Sequence, residues 1–280
     1  MHRSHGRGPL DRLSHGLAHA VQHIVDAEDF ATQDGPLQRL DPRVKLAAVL
    51  ALVVVAVASR SLIVLAAMAA IAVTLVIVSG LPVARLFRPV WLSVLAFTGL
   101  IALPALVLVP GDVLIRVPGL GWPVSLQGTR SAAFLVARSE LSTTLGLLLV
   151  LTTRWAHVLK ALRSFGVPLI IVAILGMTYR YVVLLLDLAH QMFEARRSRH
   201  VGPLAPRDGR RIATATAGVL LLRSLDMSGE VHLAMVARGY RGEPRTLDDF
   251  ALTPRDRLAL VALVGIAASA FTIGLWSSLP

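Results

Sequence analysis

Long, mostly uncharged runs of apolar residues alternate with short polar links over most of the chain. Such runs fall at residues 46–59, 61–82, 89–111, 131–153 and 258–280. Most of them reach the roughly 20 residues that an α-helix needs to cross a bilayer. The first has only 14 residues, so we expect the aliphatic stems of Arg43, Lys45 and Arg60 to lengthen it by snorkelling. The pattern predicts an all-α membrane protein with about five transmembrane helices.

Local signals place some of the helix ends. Asp41 followed by Pro42 predicts a helix start, because aspartate caps free N–H groups and proline suits the first helical position. Pro104 predicts a kink in the third crossing. Residues 110–128 are rich in glycine and proline and hold one arginine, which predicts an extracellular loop.

The N-terminal segment carries an amphipathic pattern. Six apolar residues at spacings of three and four predict a helix on the inner membrane surface: Leu10, Leu13, Leu17, Val21, Ile24 and Val25. The first 40 residues are polar and carry acidic groups, unlike a secretory signal peptide. We therefore expect a cytoplasmic N-terminus, and Arg85 and Arg88 place the link between the second and third crossings on the same side.

Residues 154–257 differ from the rest of the chain. They hold more than half of its Lys and Arg residues, and glycine and proline interrupt them at 166–168, 202–203 and 242–244. This pattern predicts a cytoplasmic helical domain. Within it, residues 164–179 are 16 uncharged positions. We expect a long helix here that lies against the membrane or other helices, with a sixth crossing through 164–186 as the open alternative.

Two opposite charges interrupt the fourth crossing. Arg138 and Glu140 are two residues apart, so they point to different sides of a helix and do not pair with each other. A charge at membrane depth needs a partner or access to water. We predict that both side chains pack against another helix or subunit.

Composition supports a membrane class and excludes several chemistries. Of 280 residues, 55% are apolar and 16% charged, the mean hydropathy is +0.68 and the net charge is +11. The positive charge lies between apolar runs, so we expect no nucleic-acid partner. The absence of cysteine excludes disulfides and thiolate chemistry. The two lysines, Lys45 and Lys160, do not follow a glycine-rich phosphate loop, so this chain is not expected to hydrolyse ATP.

Two sets of polar residues have metal-ligand spacing. His15, His19 and His23 share one helix face, as do Asp187, His190 and Glu194. Histidines on an amphipathic surface helix and charged residues on a solvated face are the more ordinary explanations. We therefore predict no metal site and no catalytic residue in this chain.

A repeat inside residues 154–257 carries the strongest functional signal. His190 to Arg199 and His232 to Arg241 both match H-x-x-x-x-A-R-x-x-R. Cations near a helix C-terminus complement its dipole, which explains an arginine but not the shared alanine and spacing. A small residue beside a forked cation suits a helix end that inserts into a partner's groove and binds carboxylates or carbonyls. The repeat predicts two similar helices that end in the same way and dock on partners.

Several ordered motifs together resemble the CbiQ/EcfT family, the transmembrane T components of energy-coupling factor (ECF) transporters. They are LDPRVKL at 40–46, LTT at 151–153, ALRSFGVP at 161–168, TYRY at 178–181 and the paired Ala-Arg motifs. LDRLSHG at 10–16 is further similar to the cobalt branch. The resemblance covers roughly residues 10–276.

This resemblance implies a non-catalytic coupling subunit. In the family, two such helix ends dock on two ATPase subunits, which bind ATP and Mg²⁺. The docking residues carried over are Ala195, Arg196, Arg197, Arg199, Ala237, Arg238, Gly239 and Arg241. Arg197 stands where glycine or serine is common in the family, so the main contact could fall to Arg196 or Arg197. The other implied partner is a CbiM-like substrate-binding membrane subunit, with or without a CbiN-like chain, and the transported ion is cobalt or nickel.

The predicted organisation is a cytoplasmic N-terminal segment (1–41), four transmembrane helices (42–153), a cytoplasmic coupling domain (154–257) and a fifth transmembrane helix (258–280) in the inner membrane. Two other functions stay open at this point. A membrane enzyme acting on a phosphorylated lipid would use the arginines to bind phosphate, with Asp187 and His190 as the nearby candidates for catalysis. A stand-alone secondary transporter would need acids at mid-membrane and inverted halves, which the sequence lacks.

Overall fold

The computed structural model describes residues 16–18, 22, 26, 28–33, 35–80, 83–109, 112–116, 123–199 and 206–241, and scattered positions from 254 to 272. Seven helices and one hairpin are bounded in it. They are α1 (Pro42–Ala58), α2 (Leu62–Val78), α3 (Val83–Leu108), β1 (Val113–Arg116), β2 (Pro123–Ser125), α4 (Leu126–Thr152), α5 (Trp155–Ser164), α6 (Leu169–Ser198) and α7 (Pro206–Ala237). The architecture is therefore all-α, apart from one short antiparallel strand pair.

The chain divides into two compact units. The first unit contains residues 30–161 and 250–280, and the second contains residues 1–29 and 162–249. Much of the predicted N-terminal amphipathic helix, including His15, His19 and His23, lies outside the described residues, as does most of the predicted crossing at 258–280.

Helix α4 is the centre of the first unit, where it contacts α1, α2 and α3. The core between α1, α2 and α4 consists of aliphatic residues and one methionine: Leu52, Val55, Ala56, Val64, Leu65, Met68, Ala72, Leu141 and Leu145. Many apolar side chains on the outer faces stay exposed, such as Ile63 at 81% and Val54 at 65%. A bilayer would cover such surface, since lipid is as apolar as these side chains.

The predicted start of α1 is confirmed. Asp41 is the N-cap, its Oδ1 accepts a hydrogen bond from the Arg43 N–H at 2.8 Å, and Pro42 occupies the first helical position. Other boundaries differ from expectation. Helix α3 begins at Val83, so Arg85 and Arg88 belong to the helix and not to a link, and Pro89 lies inside the helix and not at its start. Helix α4 begins at Leu126, five residues early, because Ser125 caps it by accepting from the Gly128 N–H.

The second unit is built from α6, α7 and part of the N-terminal segment. The glycine–proline interruption at 166–168 separates α5 from α6 as predicted. Gly166 has φ +88°, its N–H donates to Arg163 O at 3.1 Å, and the Val167 N–H donates to Leu162 O at 3.4 Å. These bonds form a Schellman motif, which glycine favours because it adopts the left-handed region without a Cβ clash.

Three helices of the described part are long and apolar enough to cross a membrane: 87–106 of α3, α4 and α6. Helix α2 is apolar but shorter, at 17 residues. Helix α6 was expected to lie against the membrane or other helices, and its 30 residues are also long enough for a crossing. The number of crossings stays a prediction.

Candidate functional site

The end of α7 is a complete Schellman motif. Gly239 has φ +80°, its N–H donates to Val236 O at 2.9 Å, and the Tyr240 N–H donates to Met235 O at 3.0 Å. The helix therefore ends on Ala237, and Arg238 occupies the turn that follows. The stop is fixed by backbone hydrogen bonds, so the exposed Arg238 side chain is not required to form it.

The end of α6 is built differently. The helix continues to Ser198, three residues beyond Ala195, and its C-cap Arg199 keeps right-handed φ and ψ of −92° and −7°. Arg197 lies where α7 has Gly239, and a side chain disfavours the left-handed conformation of that position. Arg197 instead pairs with Glu194 one turn earlier, at 3.6 Å.

The expectation that the two helices of the repeat end in the same way is therefore wrong. The shared alanine and arginine lie within the last turn of α6, whereas in α7 the helix ends at the alanine. The physical reason is that α6 has Arg197 where α7 has Gly239, since a side chain disfavours the left-handed conformation. The departure of Arg197 from the family pattern thus has a structural consequence.

The predicted docking residues are accessible on both helix ends. Arg196 is partly buried, and the other seven are exposed: Ala195, Arg197, Arg199, Ala237, Arg238, Gly239 and Arg241. Within the described part of the chain, Arg197 is the docking arginine that has an ion pair, and the pair is itself about half exposed. No side-chain hydrogen bond or ion pair within those residues engages Arg196, Arg199, Arg238 or Arg241. Each helix end therefore presents guanidinium groups that can bind a partner's acceptors.

The neighbouring acidic residues of α6 make local contacts. Asp187 accepts a hydrogen bond from Gln191 Nε2 at 2.9 Å, and Glu194 pairs with Arg197. Among the described residues, no group of His, Asp and Glu has the arrangement to hold a metal ion. Asp187 and Glu194 thus each have a local partner on α6.

Facing side chains of α6 and α7 line a cavity of about 420 Å³. Thr178 and Tyr181 of the TYRY motif line it together with Met227 and Met235 of α7. Between these two residues, Tyr179 donates a 3.0 Å hydrogen bond to Glu28 of the N-terminal segment. The TYRY motif thus contributes to the packing of the second unit in two directions.

A buried polar cluster in the first unit explains two further motifs. Lys45 of LDPRVKL is only 7% exposed, and its Nζ donates to Thr152 O at 2.8 Å and to Thr153 Oγ1 at 3.1 Å. It also contacts Gln38 O at 3.4 Å. The expectation that Lys45 snorkels is therefore wrong, because the carbonyl at the end of α4 provides an acceptor inside the protein.

The same cluster includes a residue that sequence reasoning missed. Asp256 is 3% exposed, and its Oδ1 accepts a 2.9 Å hydrogen bond from the Asp41 backbone N–H. The charged residues Lys45 and Asp256 inside an apolar chain were a signal for buried polar contacts, but their partners are more than 100 residues away in sequence. We refer to Gln38, Asp41, Lys45, Thr152, Thr153 and Asp256 as the polar cluster.

Arg138 and Glu140 have different environments, as their spacing predicted. Arg138 Nη2 donates a 2.6 Å hydrogen bond to Ser59 O at the end of α1, and its guanidinium lies 5.3 Å from the Phe134 ring centroid. Arg138 thus has a partner within this chain. Glu140 Oε1 is shielded from solvent and accepts no hydrogen bond in the described structure. An unpaired charge at membrane depth costs at least about 2.5 kcal/mol.

The fold and these sites together define a class of protein, an all-α membrane protein that has a second unit of long helices with accessible, arginine-bearing ends. The chain matches the family model described as CbiQ, cobalt transport protein, over residues 33–247. It therefore belongs to the CbiQ family, whose members are membrane components of cobalt transport systems. The resemblance to this family is confirmed.

Two relatives are similar to this chain over about half or more of its length. An uncharacterized protein of Methanocaldococcus jannaschii is 27% identical over 233 residues, which cover 81% of this chain and 80% of that protein. The cobalt transport protein CbiQ of Rhodobacter capsulatus is 33% identical over 134 residues, which cover 48% of this chain and 54% of that protein.

Proposed function

We propose that this chain is the membrane-embedded coupling subunit of an ATP-driven ECF importer for cobalt. The observation that carries the proposal is the pair of accessible, arginine-bearing ends on α6 and α7, where the guanidinium groups of Arg196, Arg199, Arg238 and Arg241 bind no other described residue. Each end would dock in a groove on one of two ATPase subunits. Arginine suits this role because its planar fork binds carboxylates and backbone carbonyls with defined geometry.

In this mechanism the chain transmits motion and performs no chemistry. The partner ATPases bind and hydrolyse ATP with Mg²⁺, and their closure moves the two docked helix ends. Long helices that behave as rigid rods carry that displacement to a substrate-binding membrane subunit, which holds the cobalt ion. The chain itself would contribute no catalytic residue and hold no cofactor.

The mechanism requires a particular topology. The N-terminus and the arginine-rich residues 154–257 would face the cytoplasm, because positively charged segments stay on that side of the inner membrane. Both α6 and α7 ends would then be on the side where ATP is available. The distribution of Lys and Arg along the chain supports this orientation.

Charge reversal at the two ends tests the docking. If the partner grooves are lined by carboxylates, Arg196→Glu and Arg238→Glu add repulsion at each site. Either change alone should leave one site docked, and the double variant should lose its ATPases and cobalt uptake while still inserting in the membrane. Arg238→Lys keeps the charge but not the fork and should weaken coupling moderately. Co-purification of ATPases from detergent extracts and cobalt uptake by cells are the measurements.

An exposed arginine away from both ends provides the matched control. Arg223 lies on α7 and is exposed, so Arg223→Glu makes the same charge change without touching a docking end. It should leave ATPase retention and uptake unchanged. A double Arg196, Arg238 variant that keeps its ATPases and transports normally would show that these arginines are only helix-end charges.

A further inference from the structure

A long apolar groove in the first unit has no role in the proposed ATPase docking. It runs between α2 and α3 across α4 and has a volume of about 710 Å³. Its apolar rim is accessible, with Leu92 57% and Leu95 48% exposed. The α2 side spans residues 62–73, which is about 16 Å or three helical turns. The groove is thus long enough for several turns of another helix.

The walls of the groove are fixed by contacts within this chain. Trp91 of α3 donates a 2.9 Å hydrogen bond to Thr144 Oγ1 of α4, which in turn donates to Glu140 O at 2.7 Å. Phe87 packs against Trp91, with ring centroids 5.8 Å apart. The aromatic wall is therefore already in place before a partner arrives, which reduces the conformational cost of binding.

Glu140 gives the groove a chemical requirement. It lines the groove near the middle of α4, and its shielded Oε1 has no hydrogen-bond partner in the described structure. A carboxylate at membrane depth needs a cation or a hydrogen-bond donor. Arg88 also lines the groove but forms no ion pair with Glu140 within the described residues. A lipid acyl chain offers no donor, whereas a polar residue on a neighbouring helix does.

Small residues let a helix come close to this carboxylate. Alanines face the groove from two helices: Ala66, Ala69 and Ala72 from α2, and Ala133 and Ala137 from α4. Close backbone approach through small residues is how transmembrane helices pack when no hydrophobic driving force separates protein from lipid. Charge complementarity at Glu140 then selects among the helices that fit.

We propose that this groove binds a transmembrane helix of the substrate-binding membrane subunit, which presents a small-residue face and places a basic or hydroxyl-bearing side chain against Glu140. This inference rests on the proposed function for the existence of that subunit. It assigns the two ends of α6 and α7 to the ATPases and the α2–α3–α4 groove to the membrane partner. The two sets of contacts can therefore be disrupted separately.

Photo-crosslinking in the assembled complex identifies the occupant directly. A photoreactive amino acid at Leu92, on the groove rim, is compared with the same probe at Phe97, which is 67% exposed on α3 but outside the groove. The Leu92 probe should give a protein adduct with another membrane subunit, and the Phe97 probe should react mainly with lipid. A Leu92 adduct with lipid alone, with a second copy of this chain or with residues 254–280 of the same chain would overturn the proposal.

Paired substitutions test the same surface by a loss of binding. Ala66→Trp fills the groove, whereas Ala67→Trp makes the same change at an exposed alanine that does not line it. Ala66→Trp and Glu140→Leu should each lower the amount of membrane subunit retained on purification about tenfold, and Ala67→Trp should not. Glu140→Gln keeps an acceptor of the same size and should retain more partner than Glu140→Leu.

Measuring the retained ATPases and the retained membrane subunit separately shows whether the proposed function or the groove inference has failed. The groove variants should keep the ATPases, because α6 and α7 are unchanged. A wild-type chain that purifies without ATPases would contradict the proposed function. A wild-type chain that holds ATPases, combined with Ala66→Trp and Glu140→Leu variants that retain the full amount of membrane subunit, would contradict the groove inference alone.

Discussion

The polar cluster of the first unit and the two helix ends of the second use similar side chains in opposite ways. In the cluster, Lys45 is 7% exposed and has three oxygen neighbours within the chain. At the helix ends, Arg196 and Arg238 have no such neighbours among the described residues. A buried charge with its partners inside the chain stabilises the fold, whereas an accessible charge without partners can bind another molecule.

The comparison also predicts different consequences of mutation. Loss of one member of the cluster leaves a buried acceptor unpaired, which costs about 1–3 kcal/mol. Loss of an exposed arginine usually changes stability by less than about 0.5 kcal/mol. We therefore expect substitutions in the polar cluster to lower the free energy of unfolding. Substitutions at the helix ends should weaken assembly with little change in stability.

The largest expected effect is a difference in cysteine labelling from the two sides of the membrane. A single cysteine at Ser198, on the α6 end, should react with an impermeant thiol reagent only after the inner face is exposed. A cysteine at the exposed Asp112 should react from outside. Ser125 would be a poor reporter because it is 3% exposed and caps α4. The natural absence of cysteine provides the background control, and labelling of Ser198 from outside would overturn the topology.

Substitution at the polar cluster should give the next largest effect. Lys45→Met keeps the length of the side chain but removes the donor to Thr152 O and Thr153 Oγ1, so we expect a loss of about 2–3 kcal/mol in the free energy of unfolding. Thermal unfolding in detergent measures it, with Arg223→Met as the exposed control. At low temperature the folded Lys45→Met chain should still retain its ATPases. An unchanged Tm would show that the cluster does not stabilise the fold.

The smallest expected effect concerns the end of α7. Gly239→Ala places a Cβ at φ +80° and should destabilise this helix end by about 1–2 kcal/mol. Gly229→Ala, within α7, meets no atom within 4 Å of the added Cβ and should stabilise the helix by about 0.5–1 kcal/mol. Hydrogen exchange of the last turn of α7 compares them. If the amides of the last turn of α7 were equally protected from exchange in both variants, Gly239 would not be needed to end α7, and the proposed reason for the difference between the α6 and α7 ends would be wrong.

Local signals in the sequence predicted local structure well. The Asp41–Pro42 start, the interruption before Pro168 and the opposite orientations of Arg138 and Glu140 each follow from residues adjacent in sequence or on one helix. The helical character of residues 154–198 also followed from composition and spacing. Motif order was enough to identify the family, because several short matches in sequence are jointly specific.

Contacts between distant residues could not be predicted in this way. The bond from Lys45 to Thr152 joins positions 107 residues apart, and nothing local shows that the two motifs meet. The difference between the two helix ends was accessible in principle, since Arg197 replaces the glycine that a left-handed turn favours. The similarity of the repeat concealed this difference, because the four matching positions carried more weight than the mismatch between Arg197 and Gly239.

The position of Asp256 beside Asp41 has a consequence for how this chain could be divided. Lys45 contacts Thr153, and the Asp41 N–H binds Asp256, so residues 153 and 256 both lie within one turn of the start of α1. Residues 162–249 of the second unit are therefore connected to the first unit through two chain segments, 154–161 and 250–255, that begin and end at nearly one point. Such geometry is that of an inserted module, which tolerates removal or exchange because its termini are close together. A short glycine–serine linker from 153 to 256 would span the excision, which would also remove residues 154–161 and 250–255 of the first unit, and modules from related chains could be grafted at the same two positions.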